Sequence, residues 1–113
     1  MRLVVLTAIA AALLVPAAVA ATPTLNGTVG PGFTITLTKG GAKVTKLKAG
    51  SYVVKVSDKS NIHNFRLKGP GVNKTTSVTG TGSSTWTVSL KKGKYTFVCD
   101  PHATIMKGSF TVT

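Results

Sequence analysis

From residue 33 onward, apolar and polar side chains take turns along the chain. The alternation is clearest in FTITLT (33–38), SYVVKV (51–56), IHNFRL (62–67), TSV (76–78), STWTVSL (84–90), KYTFVC (94–99) and GSFTVT (108–113), with a further candidate at AKVTKL (42–47). A period of two is that of a β-strand, and the threonines, valines and aromatics that fill these stretches suit a pleated, half-buried surface. No helical period of useful length follows residue 21. Turn chemistry separates the stretches, at KGG (39–41), KAG (48–50), KGPG (68–71), TGTGSS (79–84) and KKG (91–93). Seven or eight such strands predict an all-β chain, a single-domain antiparallel Greek-key β-sandwich.

The same alternation sorts side chains by face. Trp86, Val88 and Leu90 share one parity, as do Tyr52, Val54 and Val56, and both sets are expected in the core, with Thr85, Thr87 and Ser89 facing water. Tyr95, Phe97 and Cys99 share a face, which makes Cys99 the last inward position of its strand. Pro101 offers no amide hydrogen and favours an extended Asp100, so the strand gives way to a loop there. Strand structure resumes at Gly108, with Phe110 and Val112 on one face. CDPHATIM (99–106) is therefore the loop of a hairpin at one end of the sandwich.

Composition changes the picture first at the N-terminus. MRLVVLTAIAAALLVPAAVAA (1–21) carries Arg2, an apolar run from Leu3 to Val15 and an A-x-A site at 18–20, the pattern of a secretory signal peptide cut after Ala20. An uncut membrane anchor is the alternative, because the apolar stretch is just long enough to span if Thr7 and Pro16 are tolerated. With the leader removed, residues 21–32 form a short N-terminal segment and 33–113 the folded domain, with no integral membrane segment left. One cysteine cannot close an internal disulfide, so Cys99 is an odd thiol in an exported chain and calls for a partner or a ligand. Without Arg2, 13 basic residues face 2 acids, a net charge of +11, and twelve of the thirteen are lysines. Scattered lysines without interleaved arginine and aromatics argue against nucleic acid as a partner. They suit a solvated surface, an acidic protein partner or an anionic cell-envelope polymer.

Met1 leaves with the leader, so the remaining chain holds one Cys, one Met and two His, and three of these four lie within CDPHATIM. The fourth is His63. Taken singly, each residue has an ordinary structural reading: a small buried hydrophobe, a gap filler or a hydrogen-bonded histidine. Their joint occurrence in an exported chain points instead to a type 1 copper site, in which one thiolate, two imidazoles and a weak thioether suit both Cu(I) and Cu(II).

IHNF (62–65) and GKYTFVCDPHATIMKGSFTV (93–112) resemble the cupredoxins, the family of plastocyanin, amicyanin and azurin, over essentially the whole chain from Phe33. The resemblance implies one copper per chain, held by His63, Cys99 and His102 as strong ligands and Met106 as the weak axial one. It also implies that Asn64 ties the two copper loops together. His102 would be the electron port, rimmed by Pro101, Ala103, Ile105 and the turn at Pro70 and Gly71. The Cys-x2-His arm is plastocyanin-like, whereas His-x3-Met is shorter than plastocyanin's and longer than amicyanin's. The function implied is single-electron transfer by an exported monomer, periplasmic, cell-envelope or extracellular, with an acidic redox protein as partner. A copper-binding protein for storage or handover is the alternative, and a purely structural or adhesive β-sandwich a third. An enzyme is not expected, because Asp58 and Asp100 are the only carboxylates and no Ser-His-acid set forms without consuming a copper ligand.

Overall fold

In the computed structural model, residues 4–5, 7–12 and 21–113 are described; the expected leader falls largely outside them, and its cleavage site at 18–20 wholly so. No helix among the described residues is long and apolar enough to cross a membrane. The alternating pattern emerges as ten strands: β1 (Thr24–Val29), β2 (Ile35–Lys39), β3 (Ala42–Lys43), β4 (Lys46–Leu47), β5 (Gly50–Asp58), β6 (Arg66–Gly69), β7 (Val72–Thr75), β8 (Gly82–Leu90), β9 (Gly93–Val98) and β10 (Lys107–Val112). They form two five-stranded sheets, in the orders β3-β2-β1-β5-β8 and β4-β10-β9-β6-β7. The chain is an all-β sandwich, as expected.

Its details differ from the expectation in five ways. β1 with β5 and β10 with β4 are parallel, so both sheets are mixed rather than purely antiparallel. Parallel neighbours need a long crossover, which β2, β3 and β4 supply between β1 and β5. The stretch expected as one strand at 42–47 is two short ones, β3 in the first sheet and β4 in the second, with Val44 buried at the crossing. Residues 76–78 are not a strand; the pairing segment precedes them as β7. In IHNFRL only Arg66 and Leu67 belong to a strand. His63, Asn64 and Phe65 are buried in succession, which breaks the alternation and marks a loop.

β1 is the element the pattern did not offer, and it extends the sheet into the segment set apart at 21–32. Asn26 and Gly27 are poor strand formers, yet β1 lies inside its sheet with Leu25, Gly27 and Val29 buried. Gly27 is there because of its neighbour. A Cβ at this position would sit 2.9 Å from Cε2 and Cζ of Phe65.

The core is the one the parities define. Tyr52, Val54, Val56, Val88, Leu90, Tyr95, Phe97, Cys99, Phe110 and Val112 are all buried, and Trp86 packs at the margin. Burial of each large apolar side chain contributes roughly 1.5–3 kcal/mol. Phe65 stacks on Phe97 at 5.8 Å and Tyr95 on Phe110 at 5.3 Å. The Tyr95 hydroxyl donates to Pro70 O (2.8 Å) and accepts from the Lys91 N–H (2.9 Å), latching two turns together.

Strand registers define two poles. At one lie the β1–β2 loop (30–34), the β5–β6 link (59–65), the β7–β8 link (76–81) and the β9–β10 loop (99–106). At the other lie the turns at 40–41, 48–49, 70–71 and 91–92. Pro70 and Gly71 therefore cannot rim a site at Cys99: the six residues of β9 separate them from it by roughly 20 Å.

Candidate metal centre

Cys99 leaves β9 in an extended conformation (φ −93°, ψ 116°) and is fully buried. A 3-10 turn, Asp100–His102, follows with Pro101 in its first turn. The extended residue is thus Cys99 and not Asp100, because proline's fixed φ also suits the opening of a helical turn. Four backbone hydrogen bonds close the loop: His102 N–H to Cys99 O (3.1 Å), Ile105 N–H and Met106 N–H to His102 O (3.1 and 2.8 Å), and Cys99 N–H to Met106 O (3.0 Å). They place Met106, buried to 1% exposure, across the hairpin mouth from Cys99.

The β5–β6 link brings His63 against this loop. His63 Nδ1 lies 3.1 Å from His102 Nδ1, and Cys99 Sγ lies 3.6 Å from His63 Nδ1 and 3.5 Å from His102 Nδ1. Three soft or borderline donors therefore face one another in a near-equilateral triangle. Its centre is about 2.0 Å from each atom, close to the roughly 2.0–2.3 Å of imidazole and thiolate metal bonds. His63 Nε2 is buried without a hydrogen-bond partner among the described residues. The ring is thus oriented by what its Nδ1 faces, at the cost of leaving the other nitrogen unpaired. The donor set fits one transition-metal ion.

Asn64 ties the two loops. Its Nδ2 donates to Asp100 Oδ2 (2.8 Å) and Thr75 Oγ1 (2.9 Å), and its Oδ1 accepts the Asp100 N–H (2.7 Å). Arg66 then grips Asp100, with Nε 2.9 and 3.0 Å from the two carboxylate oxygens and Nη2 2.9 Å from Oδ2, while Nη1 reaches Asn73 Oδ1 at 2.8 Å. The Arg66 hydrogen bonds, aided by Asn64, hold the Asp100 carboxyl below the usual carboxylate range against a smaller opposing effect of burial. Asp100 in turn raises Arg66. With side-chain exposures of 31% and 40% the pair adds at most about 1 kcal/mol, so its effect is to fix the residue that follows Cys99. On the other flank, Asp58 accepts from Ser60 N–H (3.1 Å) and Thr76 Oγ1 (3.3 Å), and Thr76 Oγ1 accepts the Phe65 N–H (2.8 Å).

The β1–β2 loop supplies a residue that sequence reasoning assigned to a strand. Phe33, 57% exposed, sets its ring edge-on to both imidazoles, 5.1 Å from His63 and 5.0 Å from His102. Gly30, with φ 71°, makes the turn that allows it: a Cβ there would lie 2.8 Å from Ser60 Cβ and 3.5 Å from His63 Cδ2. His102 is half-buried, and exposed Phe33, Ile62, Pro101, Ala103 and Ile105 surround this pole. The rim is therefore the expected one with Phe33 and Ile62 in place of Pro70 and Gly71. Lys107 and Lys59 lie at this pole too, whereas Lys91, Lys92 and Lys94 stand at the far end of β9.

A mixed β-sandwich that gathers a buried thiol and two imidazoles at one pole defines a class of single-site metal proteins. The model of the cupredoxin-like domain matches residues 3–112, and the chain belongs to that family. A sequence comparison with curated proteins returned no match. Among solved structures, reduced rusticyanin superposes with a TM-score of 0.60 at 22% identity, covering 80% of this chain and 78% of its own. Rusticyanin from Thiobacillus ferrooxidans gives 0.55 at 23%, covering 80% and 76%. Dithionite-reduced auracyanin from the photosynthetic bacterium Roseiflexus castenholzii gives 0.57 at 20%, covering 83% and 99%. At these identities the likeness is one of fold. Family and donor cluster together define a copper site, one per chain.

Proposed function

We propose that the chain is an exported type 1 copper protein that carries single electrons between redox partners. The observation that carries this reading is the triangle of His63 Nδ1, Cys99 Sγ and His102 Nδ1, three donors held about one metal–ligand bond length from a common centre by hydrogen bonds that do not depend on the ion. Bound copper supplies the Cu(II)/Cu(I) couple. Cys99 and His63, both fully buried, would hold the ion as fixed ligands, and Met106 at the mouth of the same hairpin would add a weak thioether donor. A rigid donor set reorganises little when the charge changes. His102 is the one strong ligand that reaches the surface, so its edge is where the electron enters and leaves. Phe33, Ile62 and Ile105 exclude water around that edge and offer a small apolar face for brief docking.

A carrier fits better than a handover protein, because beyond residue 21 the sequence has no Met or His outside these four, and a handover route would use exposed arrays of them. The leader at 1–20 is cut, the mature protein acts as a monomer, and its location is periplasmic, cell-envelope or extracellular. Its redox partner is a protein whose docking rim is acidic where it meets Lys59 and Lys107. Addition of Cu(II) to the purified chain should give an intense visible band and a type 1 electron paramagnetic resonance signal, both absent from Cys99→Ser. Retention of the band in the serine variant would end this reading.

A further inference from the structure

Charge is divided unequally between the two poles. Lys39, Lys46, Lys48, Lys91, Lys92 and Lys94 stand exposed on turns and strand ends remote from Cys99. No Asp or Glu side chain accompanies them. Both acids of the chain flank the metal pole, Asp100 next to Cys99 and Asp58 at the start of the His63 link. The one ion pair among the described residues, Arg66 with Asp100, is also there. Apolar exposure runs the other way: beyond residue 21 the exposed large hydrophobics are Phe33, Ile62 and Ile105, all at the metal pole.

A surface of six unpaired ammonium groups with no exposed large apolar side chain lacks what most protein interfaces need, a buried aromatic or aliphatic anchor. It also lacks the apolar residues by which a surface helix or loop enters a lipid interface. Ammonium groups are compact point charges that pair with single anionic groups, without the planar fork that reads bases or clamps phosphates. These lysines are spread over both sheets, whose backbones lie roughly 10 Å apart. A flexible chain with repeated anionic groups can reach lysines on both sheets. An acidic redox protein held at this pole would stand a strand length from His102.

We propose that the pole remote from copper is a polyanion-binding surface, and that its occupant is a flexible polymer with repeated carboxylates, which holds the molecule with its metal pole outward. The surface does not depend on the electron-transfer reading. Binding of the copper-loaded chain to polygalacturonate at low salt tests it, with the visible band as a check on folding.

Replacing Lys91, Lys92 and Lys94 by Gln should weaken binding about a hundredfold, on the scale of roughly fivefold per lysine seen at anionic surfaces. A second triple at Lys39, Lys46 and Lys48 should do the same. A control triple of equal charge, at Lys59, Lys74 and Lys107, should cost less than about fivefold. Equal loss in all three triples would show that binding follows net charge alone and overturn the proposal. So would no binding by the parent chain, or tighter binding to phosphatidylcholine–phosphatidylglycerol vesicles with the same lysine dependence, which would make the partner a membrane surface.

Discussion

Asn64 uses every polar group of its side chain to join its own link to its neighbours, taking one partner from Thr75 at the end of β7 and two from Asp100 in the His102 loop. Its Nδ2 and Oδ1 are the stays that keep His63 and Cys99 at their separation. Asn64→Ala should leave the three strong donors in the chain and still weaken copper binding by about 10–100-fold, the scale for groups that orient ligands; competition with a chelator measures it. Met106→Leu conserves volume and should cost the fold less than about 1.5 kcal/mol. If Met106 is the axial donor, its loss disfavours Cu(II), and voltammetry should find a higher potential with the visible band retained. At this scale the sequence was informative because Cys99, His102 and Met106 share one hairpin loop, so proximity in the chain is proximity in space. Phe33 was illegible for the opposite reason. It reaches the histidines only through the return of β1 into the sheet and the turn at Gly30.

Strands were legible where one face is buried and the other wet. β5, β8, β9 and β10 show that alternation and hold their expected inward residues. β1 failed the test of composition because its central glycine is dictated by Phe65, a residue far along the chain whose ring leaves no room for a Cβ. Tertiary packing overrides strand propensity in such a place. Gly27→Ala should therefore destabilise the protein by about 1–3 kcal/mol through overpacking, seen as a lower denaturant midpoint. Because Phe65 follows His63 and Asn64 directly, the same variant should also broaden the copper spectrum. A melting shift with an unchanged spectrum would show that the His63 link moves independently of β1. The parallel pairings were beyond reach of the pattern, since alternation fixes faces but says nothing of strand direction.

For the molecule as a whole, the sequence supplied the net charge but not its direction. Turns that are scattered in the chain converge at one pole, and both acids converge at the other, so a uniformly basic composition becomes an electric dipole along the strands. That dipole decides how the protein lands on an electrode. On a carboxylate-terminated monolayer it should settle lysines first, with His102 about one strand length, roughly 20 Å, from the electrode, and exchange electrons slowly. On a methyl-terminated monolayer the apolar rim of Phe33, Ile62 and Ile105 should lead, and the same adsorbed protein should exchange electrons faster, because electron transfer weakens steeply with distance. Cyclic voltammetry at increasing scan rate on the two monolayers compares the rates directly. The slower film should be the one to which electrostatics binds the protein more firmly, a separation of adhesion from conduction that follows from putting charge and copper at opposite ends.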